Sequence, residues 1–393
     1  MNNIKVKILL FLKRVPFVFY LNAKWKSRKV KYFYKKIIQK YENLEQSYSF
    51  EELLLQKGFN NKWKDKFIKR RSKVFYLGTD EFQDKSGFLQ TLNKFSDVTY
   101  FTKEDGSYGQ YKRSENVVEN NSKRIVELFK QLEEQKKIPD LLIMQTWAWR
   151  IDVDVLSQLK KTYDLKIINI SMDDRHTYYD NGIPKLGVKG LIPVLDLALT
   201  ASLESVDWYL KENIPALYFP EASSLEFFHP LNLEKKYDVG FVGGKYGVRE
   251  KIVNSLIKGG VEVVCFGSGW ENGRLPLSDT NKFFNQCKII LGIGTIGYSE
   301  DFYALKLRDF DAPLSGSCYV THHNKDLESL YDEDAIVLCE NVDSFVNKIK
   351  WLLEDEEKIF YFAKKGFSNA KLKHTYDKRI QFLYQELGIK VQK

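Results

Sequence analysis

Charged residues cluster in the stretch LKLRDFDAPLSGSCYVT, at positions 305–321, directly before a segment typical of a buried strand. Lys306 and Arg308 supply cations that can bind phosphates, and Asp311 supplies a carboxylate that can accept the two hydroxyls of a ribose. On a helix, Arg308 and Asp311 share a face, whereas Lys306 lies off it. The alternative, which would apply to an isolated helix, is that these charged residues form a solvent-exposed face with an ion pair between them. Because the segment turns at once into a strand, we expect these charges at a sheet edge.

Glycine-rich loops follow three predicted strands in the second half of the chain: GGKYGVRE (243–250), FGSGW (266–270) and GIGTIG (292–297). Glycines let the backbone approach a ligand closely, and the start of the following helix attracts anions. For any single loop, the alternative is that its glycines only allow a tight turn and bind no ligand. Together the loops predict a phosphate or diphosphate site. The binding residues assigned to this half are Gly243, Gly244, Lys245, Arg249, Gly267, Gly294, Asp311 and Gly316.

Two adjacent carboxylates, Asp173 and Asp174, follow the predicted strand KIINIS (166–171) in the first half. Since ligands of parallel sheets bind at the carboxyl ends of the strands, we expect one of them to orient or deprotonate a substrate hydroxyl. Capping of the following turn is the alternative. The catalytic candidates are therefore Asp173, Asp174, Lys306 and Arg308.

Short β-rich runs alternate with helical periods along most of the 393 residues. A chain of this length exceeds what one core usually serves, and such alternation indicates parallel sheets covered on both faces. The sequence therefore predicts an α/β fold of two doubly wound, Rossmann-like domains that meet near 227–238. The predicted strands are 74–78, 98–101, 141–145, 166–171, 197–202, 216–219, 238–244, 261–267, 288–294, 317–321 and 335–340.

Four widely spaced cysteines show neither a metal-ligand pattern nor a disulfide framework, which indicates reduced thiols in the cytosol. They are Cys265, Cys287, Cys318 and Cys339. No stretch reaches the ~18 uninterrupted apolar residues that a membrane-spanning helix needs.

The net charge of +9 is concentrated at the start of the chain, where the first 41 residues carry twelve Lys and Arg and no Asp or Glu. Apolar residues recur there at spacings of three and four from Val30 to Tyr48, which predicts an amphipathic helix with a basic face. Like charges on one face repel, so an external anion is expected to neutralise them. We therefore predict that residues 1–41 bind an anionic membrane surface, with Phe11, Phe17, Phe19, Trp25 and Phe33 as interfacial contacts. Docking on the protein's own body or on a partner is the alternative.

The segment from Lys306 to Arg379 resembles the carboxyl-terminal signature of the CgeB-like (spore-maturation-type) glycosyltransferases of the GT-B fold. The likeness extends over about residues 138–385. Asp311 stands where that family usually has Glu, and Tyr303 occupies the place where related retaining enzymes have a second glutamate. The matching residues are Lys306, Arg308, Phe310, Gly316, His374, Thr375 and Arg379.

This resemblance implies transfer of a sugar from a nucleoside diphosphate sugar, bound to the second domain, onto a glycan, lipid-linked or protein acceptor held by the first. It implies a metal-independent, retaining enzyme without a further cofactor, in which cations stabilise the departing diphosphate. The adjacent carboxylates at 173–174 also resemble the metal-binding DxD motif of metal-dependent transferases. Their spacing and their position in the first domain, however, do not match that motif. Together with the basic arm, which charge and periodicity indicate, the predicted organisation is an arm (1–72), an acceptor domain (73–232), a nucleotide-sugar domain (233–375) and a closing helix (376–393) directed towards the first domain.

Two other classes of function remain open at the level of sequence. A catalytically silent nucleotide-sugar-binding module would keep the same fold, since a fold alone does not prove activity. A nucleic-acid-binding protein would use the basic arm, but residues 74–393 carry 41 basic and 47 acidic residues, and no recognition fold is evident. We therefore expect no nucleic acid partner. From the basic arm, we expect a cytoplasmic protein that is peripherally bound to the inner face of the cytoplasmic membrane.

Overall fold

The structure is a computed structural model that describes residues 16–112 and 116–390. The predicted contacts of Phe11 and of the other residues before Pro16 lie outside the described residues. Within them, two separate parallel sheets are present, as the alternating pattern predicts.

The first sheet has six strands in the order β2-β1-β3-β4-β5-β6, and every neighbouring pair is parallel. Continuous apolar runs form its central strands, because both of their faces are buried under helices. The strands are β1 (Ser72–Leu77), β2 (Ser96–Tyr100), β3 (Leu141–Met144), β4 (Lys166–Ser171), β5 (Leu197–Thr200) and β6 (Ala216–Tyr218).

The second sheet has five parallel strands in the order β11-β10-β9-β7-β8. Its strands are β7 (Tyr237–Val242), β8 (Val263–Phe266), β9 (Cys287–Leu291), β10 (Cys318–His322) and β11 (Val337–Cys339). Each strand of both sheets overlaps a predicted one, and all four cysteines are buried free thiols.

Helices cover both faces of each sheet. In the first part of the chain they are α1 (Pro16–Glu42), α2 (Phe50–Gln56), α3 (Asn61–Asp65), α4 (Glu81–Gln83), α5 (Leu89–Phe95), α6 (Val117–Glu134), α7 (Val153–Tyr163), α8 (Asp174–Thr177) and α9 (Leu203–Lys211), with a π-helical turn at Asp84–Phe88 and a 3-10 helix at Val188–Val194. In the second part they are α10 (Arg249–Lys258), α11 (Leu277–Gln286), α12 (Arg308–Leu314), α13 (Lys325–Leu330), α14 (Val342–Leu353), α15 (Glu356–Lys373) and α16 (Tyr376–Leu387). No helix among the described residues is long and apolar enough to cross a membrane.

The region predicted as an arm divides into two parts with different environments. Residues 50–67 belong to the first domain, because Trp63 and Phe67 are buried in one core cluster with Tyr384 and Leu387 of α16. Ser49 caps α2 with a capping box, which explains why a helix begins there. The basic arm is therefore shorter than the predicted range 1–72, and the last helix of the chain packs on the first domain.

Helix α1 packs on both domains. Ile37 and Tyr41 near its end are buried in the core of the first domain, and Tyr41 donates a hydrogen bond to Glu212. Earlier in the helix, Val30 and Tyr34 pack against a cluster of the second domain formed by Ile296, Phe302 and Ala304. A helix that was predicted to face a membrane thus has one face occupied by the protein itself.

A buried ion cluster also joins the domains. The guanidinium of Arg175 contacts Glu204 of its own domain at 2.7 and 3.0 Å, and Asp326 of the second domain at 2.7 Å. It also donates to the carbonyl of Tyr303 at 3.0 Å. Together with α1, this cluster fixes the two sheets so that their carboxyl ends face one cleft.

Candidate functional site

The cleft between the domains contains a cavity of about 320 Å³, here called the cleft cavity. Its walls include residues at or after the carboxyl ends of strands of both sheets, together with residues of α12 and of the turn before it. The first domain contributes Gln145, Met172, Asp173 and Glu221, and the second contributes Val242, Gly243, Lys306, Arg308 and Asp311. The cavity thus lies where ligands bind in open parallel sheets.

Two guanidinium groups converge on Gly243 at the end of β7. A Cβ atom at this glycine would lie 2.7 Å from Nη1 of Arg308 and 3.3 Å from Nη1 of Arg249. A larger residue at 243 would therefore push the Arg308 guanidinium out of its present position.

Neither guanidinium forms an ion pair with a carboxylate within the described part of the chain. Arg308 donates to the carbonyls of Val242 and Ile293, and Arg249 to those of Gly244 (2.9 Å) and Ile293 (3.2 Å). The Nε atoms of both are buried without a hydrogen-bond partner. Burial, and then the charge of Arg308, lower the pKa of Arg249 to about 10. Arg249 is buried and Arg308 half-buried, so two like charges without an ion pair form a site that favours an anion.

The remaining predicted binding residues lie in different places. Lys245 points away from the cleft cavity, because its Nζ atom lies 3.0 Å from Glu250 and 5.1 Å from the ring centroid of Trp270. Gly244 accepts the bond from Arg249 through its carbonyl.

Three predicted glycines are explained by backbone packing. A Cβ at Gly267, whose φ is 137°, would lie 2.2 Å from the carbonyl oxygen of Gly243. Gly294 approaches the carbonyl of Ala304, and Gly316 packs against Pro230. These three glycines let loops meet, and none of them lines the cleft cavity. That they contact a ligand stays a prediction.

Lys306 and Asp173 meet across the cleft. The Lys306 Nζ atom lies 3.7 Å from Asp173 Oδ1, so this ion pair joins the second domain to the first. Burial raises the pKa of Asp173, but the positive charge of Lys306 counteracts this effect, and the pKa lies below its usual value. The carboxylate is therefore ionised at neutral pH.

Asp174 does not reach the cleft, in contrast to the prediction. It is fully buried and accepts hydrogen bonds from Ser171 (2.5 Å), Thr200 (2.6 Å) and Tyr209 (3.0 Å). Burial raises its pKa to about 7. Asp174 is thus a structural carboxylate at the start of α8, and Asp173 is the member of the pair that faces the cavity.

Besides Asp173, two further carboxyl groups line the cleft cavity. Asp311 on α12 was predicted from the sequence, whereas Glu221, which follows β6, was not. Both are nearly buried, and burial raises the pKa of each to about 8. Glu221 Oε2 is buried without a hydrogen-bond partner, so a ligand hydroxyl can bind there. Its position directly after a strand was the signal available in the sequence.

A second, larger cavity of about 670 Å³, here called the lateral cavity, adjoins the first. Asp173 lines both cavities, so a group in the lateral cavity can reach one in the cleft cavity at this residue. His176 also lines the lateral cavity, with Nε2 3.9 Å from Asp173 Oδ1. Burial lowers the pKa of His176, so its ring is neutral at pH 7. No motif or spacing in the sequence singles out this histidine.

Among the described residues, no group of three or more His, Cys, Asp or Glu side chains is arranged to hold a metal ion.

Comparisons with known proteins agree with this geometry. Residues 249–385 match a family model described as glycosyl transferase-like, which covers α10 to α16 and includes Arg249, Arg308 and Asp311. No curated protein sequence matches the chain significantly.

Solved structures resemble the fold over most of the chain. Sucrose-phosphate synthase from Thermosynechococcus elongatus aligns with a TM-score of 0.58 and 12% identity, over 81% of this chain and 99% of that one. Anabaena Alr3699/HepE in complex with UDP-glucose aligns with a TM-score of 0.58 and 12% identity over the same shares. HepE in complex with UDP and glucose gives 0.57 and 11%, again over the same shares. At such identities the likeness shows the fold alone, and it confirms the predicted α/β fold with two Rossmann-like domains facing a cleft, the GT-B fold.

Proposed function

We propose that this chain is a glycosyltransferase that moves a sugar from a nucleoside diphosphate sugar to an acceptor. The observation that carries the proposal is the convergence of Arg249 and Arg308 on Gly243 without a carboxylate partner. A diphosphate supplies the missing negative charge. The match of residues 249–385 to a glycosyl transferase-like family model supports the same activity.

The donor would lie in the cleft cavity. Arg249 and Arg308 would hold the diphosphate, and Asp311 would accept hydrogen bonds from the ribose hydroxyls. Lys306, on the same segment as Arg308, adds a third positive charge near the departing group. Because three cations stabilise that charge, we propose a metal-independent reaction with no further cofactor.

The acceptor hydroxyl would bind at Asp173, where the two cavities meet. The bond between the sugar C1 and the diphosphate oxygen breaks, and a bond between C1 and the acceptor oxygen forms. In the retaining course that we propose, the proton of the hydroxyl goes to the departing diphosphate, and Asp173 orients the hydroxyl. The anomeric configuration of the product, read by NMR, tests this outcome.

An assay of nucleotide release across a panel of nucleoside diphosphate sugars and candidate acceptors tests the function. Release that depends on both substrates, and that disappears in Arg308→Ala, is the expected result. Donor binding without release under any condition would instead favour the catalytically silent module. That alternative is supported by Tyr303, which stands where related retaining enzymes have a glutamate.

We also propose that the protein acts at the inner face of the cytoplasmic membrane, in the assembly of cell-surface glycans. The outward face of α1 carries Leu21, Trp25 and Tyr32, which are 49, 59 and 52% exposed. Lys29 lies over the ring of Trp25, and Lys36 over that of Tyr32. Exposed aromatic and cationic residues on one helix face suit an anionic lipid surface. Membership of the CgeB-like family remains a proposal, based on the motif from Lys306 to Arg379.

A further inference from the structure

The lateral cavity has an aromatic wall. Trp147 and Trp149 both line it, with their ring centroids 6.3 Å apart and their planes inclined by 17°. The guanidinium of Arg150 lies 4.8 Å from one ring and 4.9 Å from the other. Flat aromatic surfaces of this kind are suited to the apolar C–H faces of sugar rings, which bury area there without losing their hydroxyl contacts to water.

Two lysines from separate elements reach the same cavity. Lys26 comes from α1, and Lys112 comes from the segment after β2. Both are exposed, and neither forms an ion pair with any residue that the structure describes.

The carboxylates of the lateral cavity are already occupied by protein groups. Asp80 accepts hydrogen bonds from the backbone N–H groups at the start of α4, Asp180 accepts one from Asn181, and Asp173 pairs with Lys306. The oxygens of these carboxylates thus already have partners, whereas Lys26 and Lys112 have no counterion among the described residues and can pair with a negatively charged group.

We propose that the lateral cavity binds an acceptor sugar that carries a negative charge, as a phosphate or a carboxylate. The sugar ring lies on the wall formed by Trp147 and Trp149, and the charged group lies between Lys26 and Lys112. One hydroxyl then reaches Asp173 at the boundary with the cleft cavity. The assignment rests on the proposed function and adds the class of acceptor. It also gives α1 a direct role in substrate recognition.

Saturation-transfer NMR on the full chain, without donor, tests the proposal with glucose 6-phosphate, glucuronic acid and glucose as probes. We expect at least one anionic probe to bind, and glucose to bind about tenfold more weakly, as for loss of a hydrogen bond to a charged group. The stronger of the two anionic probes then distinguishes a phosphate from a carboxylate acceptor.

Single substitutions locate the binding site. Lys26→Ala and Lys112→Ala should each weaken the anionic probes by about tenfold and leave glucose unchanged, since each removes one charged contact. Trp147→Ala should weaken every probe that binds. Lys35→Ala is the matched control, because it removes an exposed lysine of the same helix that lines neither cavity, and it should change nothing.

Binding that weakens in Arg308→Ala but not in Lys26→Ala would place the probes in the cleft cavity and overturn the proposal. Equal affinities for glucose and the anionic probes, or no binding of any probe at millimolar concentration, would also overturn it. UDP binding, measured on the same samples, reports separately on the proposed function, because it depends on the cleft cavity alone.

Discussion

At the scale of single residues, Arg308 and Lys245 make contrasting predictions although both are cations near the glycine loops. Arg308→Ala should weaken UDP binding by about ten- to a hundredfold, because it removes charged hydrogen bonds to the diphosphate. Lys245→Ala should leave the UDP dissociation constant within about twofold, since Lys245 pairs with Glu250 outside the cleft cavity. Isothermal titration calorimetry measures both. Equal losses in the two variants would contradict the placement of the donor.

The neighbouring carboxylates Asp173 and Asp174 should also respond differently. Asp173→Asn removes the charge that orients the acceptor hydroxyl, so kcat should fall by about a hundredfold while donor affinity stays within about twofold. Asp174→Asn disturbs a buried carboxylate held by three hydroxyls, and should lower the free energy of unfolding by about 1–3 kcal/mol. Steady-state kinetics and urea denaturation separate the two effects. A loss of turnover in a stably folded Asp174→Asn variant would restore that residue to the reacting centre.

Glu221 gives the donor-free protein a specific pH dependence. Its pKa is raised by burial to about 8 in the folded state, so the folded protein keeps a proton that the unfolded chain releases. Stability is therefore greatest below the unfolded pKa and falls as the pH rises from about 5 to about 8. Glu221→Gln should flatten this decline in melting temperature without abolishing it, because Asp311 acts with the same sign. An unchanged slope would show that Glu221 is not buried as described.

At the scale of elements, the cluster around Arg175 holds the domains in register. Arg175→Ala leaves Asp326 buried without its counterion and should cost about 3–5 kcal/mol of unfolding free energy. Adding Asp326→Asn should recover part of this loss, because the uncompensated charge is removed. Denaturant unfolding of the two single variants and the double variant gives the coupling energy. Additive losses would argue against a direct interaction between the domains through this pair.

The strands and the loops after them were predictable from sequence, because buried parallel strands leave continuous apolar runs and their carboxyl ends mark the ligand edge. Side-chain direction was not predictable. Asp173 and Asp174 both follow β4, and only the local turn decides which faces the cavity. Likewise, a lysine beside a glycine loop predicts contact with a bound anion. Lys245 instead pairs with Glu250, and this contact depends on the helix that follows the loop.

The docking of α1 and of residues 50–67 depends on tertiary packing rather than on local pattern. The periodicity from Val30 to Tyr48 predicted a helix with an apolar face, and α1 is such a helix, although it ends at Glu42. Periodicity does not say what covers that face. Trp208, which stacks on Tyr41, and Tyr178, which meets the same ring edge to face, come from distant parts of the sequence. The amphipathic pattern was therefore compatible with a membrane and with the protein's own core.

At the scale of the whole molecule, the exposed face of α1 predicts binding to lipid. The full chain should float with vesicles that contain anionic lipid and not with neutral ones, because each basic residue near the surface adds about 1 kcal/mol. Replacing both Trp25 and Tyr32 by alanine should reduce flotation while the melting temperature stays unchanged, since both side chains are exposed. Truncation before Ser72 is unsuitable here, because it removes Trp63 and Phe67 from the core. Equal flotation of both proteins would contradict this role of the exposed face.

The central claim is that the cleft cavity binds a nucleoside diphosphate sugar through Arg249 and Arg308. Thermal unfolding with a panel of nucleoside diphosphate sugars tests it most directly, because a ligand at about a hundred times its Kd stabilises the folded state by about 2.7 kcal/mol. We predict that one or a few members of the panel raise the melting temperature of the wild-type protein and of Lys245→Ala, but not that of Arg308→Ala. A panel without any selective shift in the wild-type protein, or a shift that persists in Arg308→Ala, would contradict the claim.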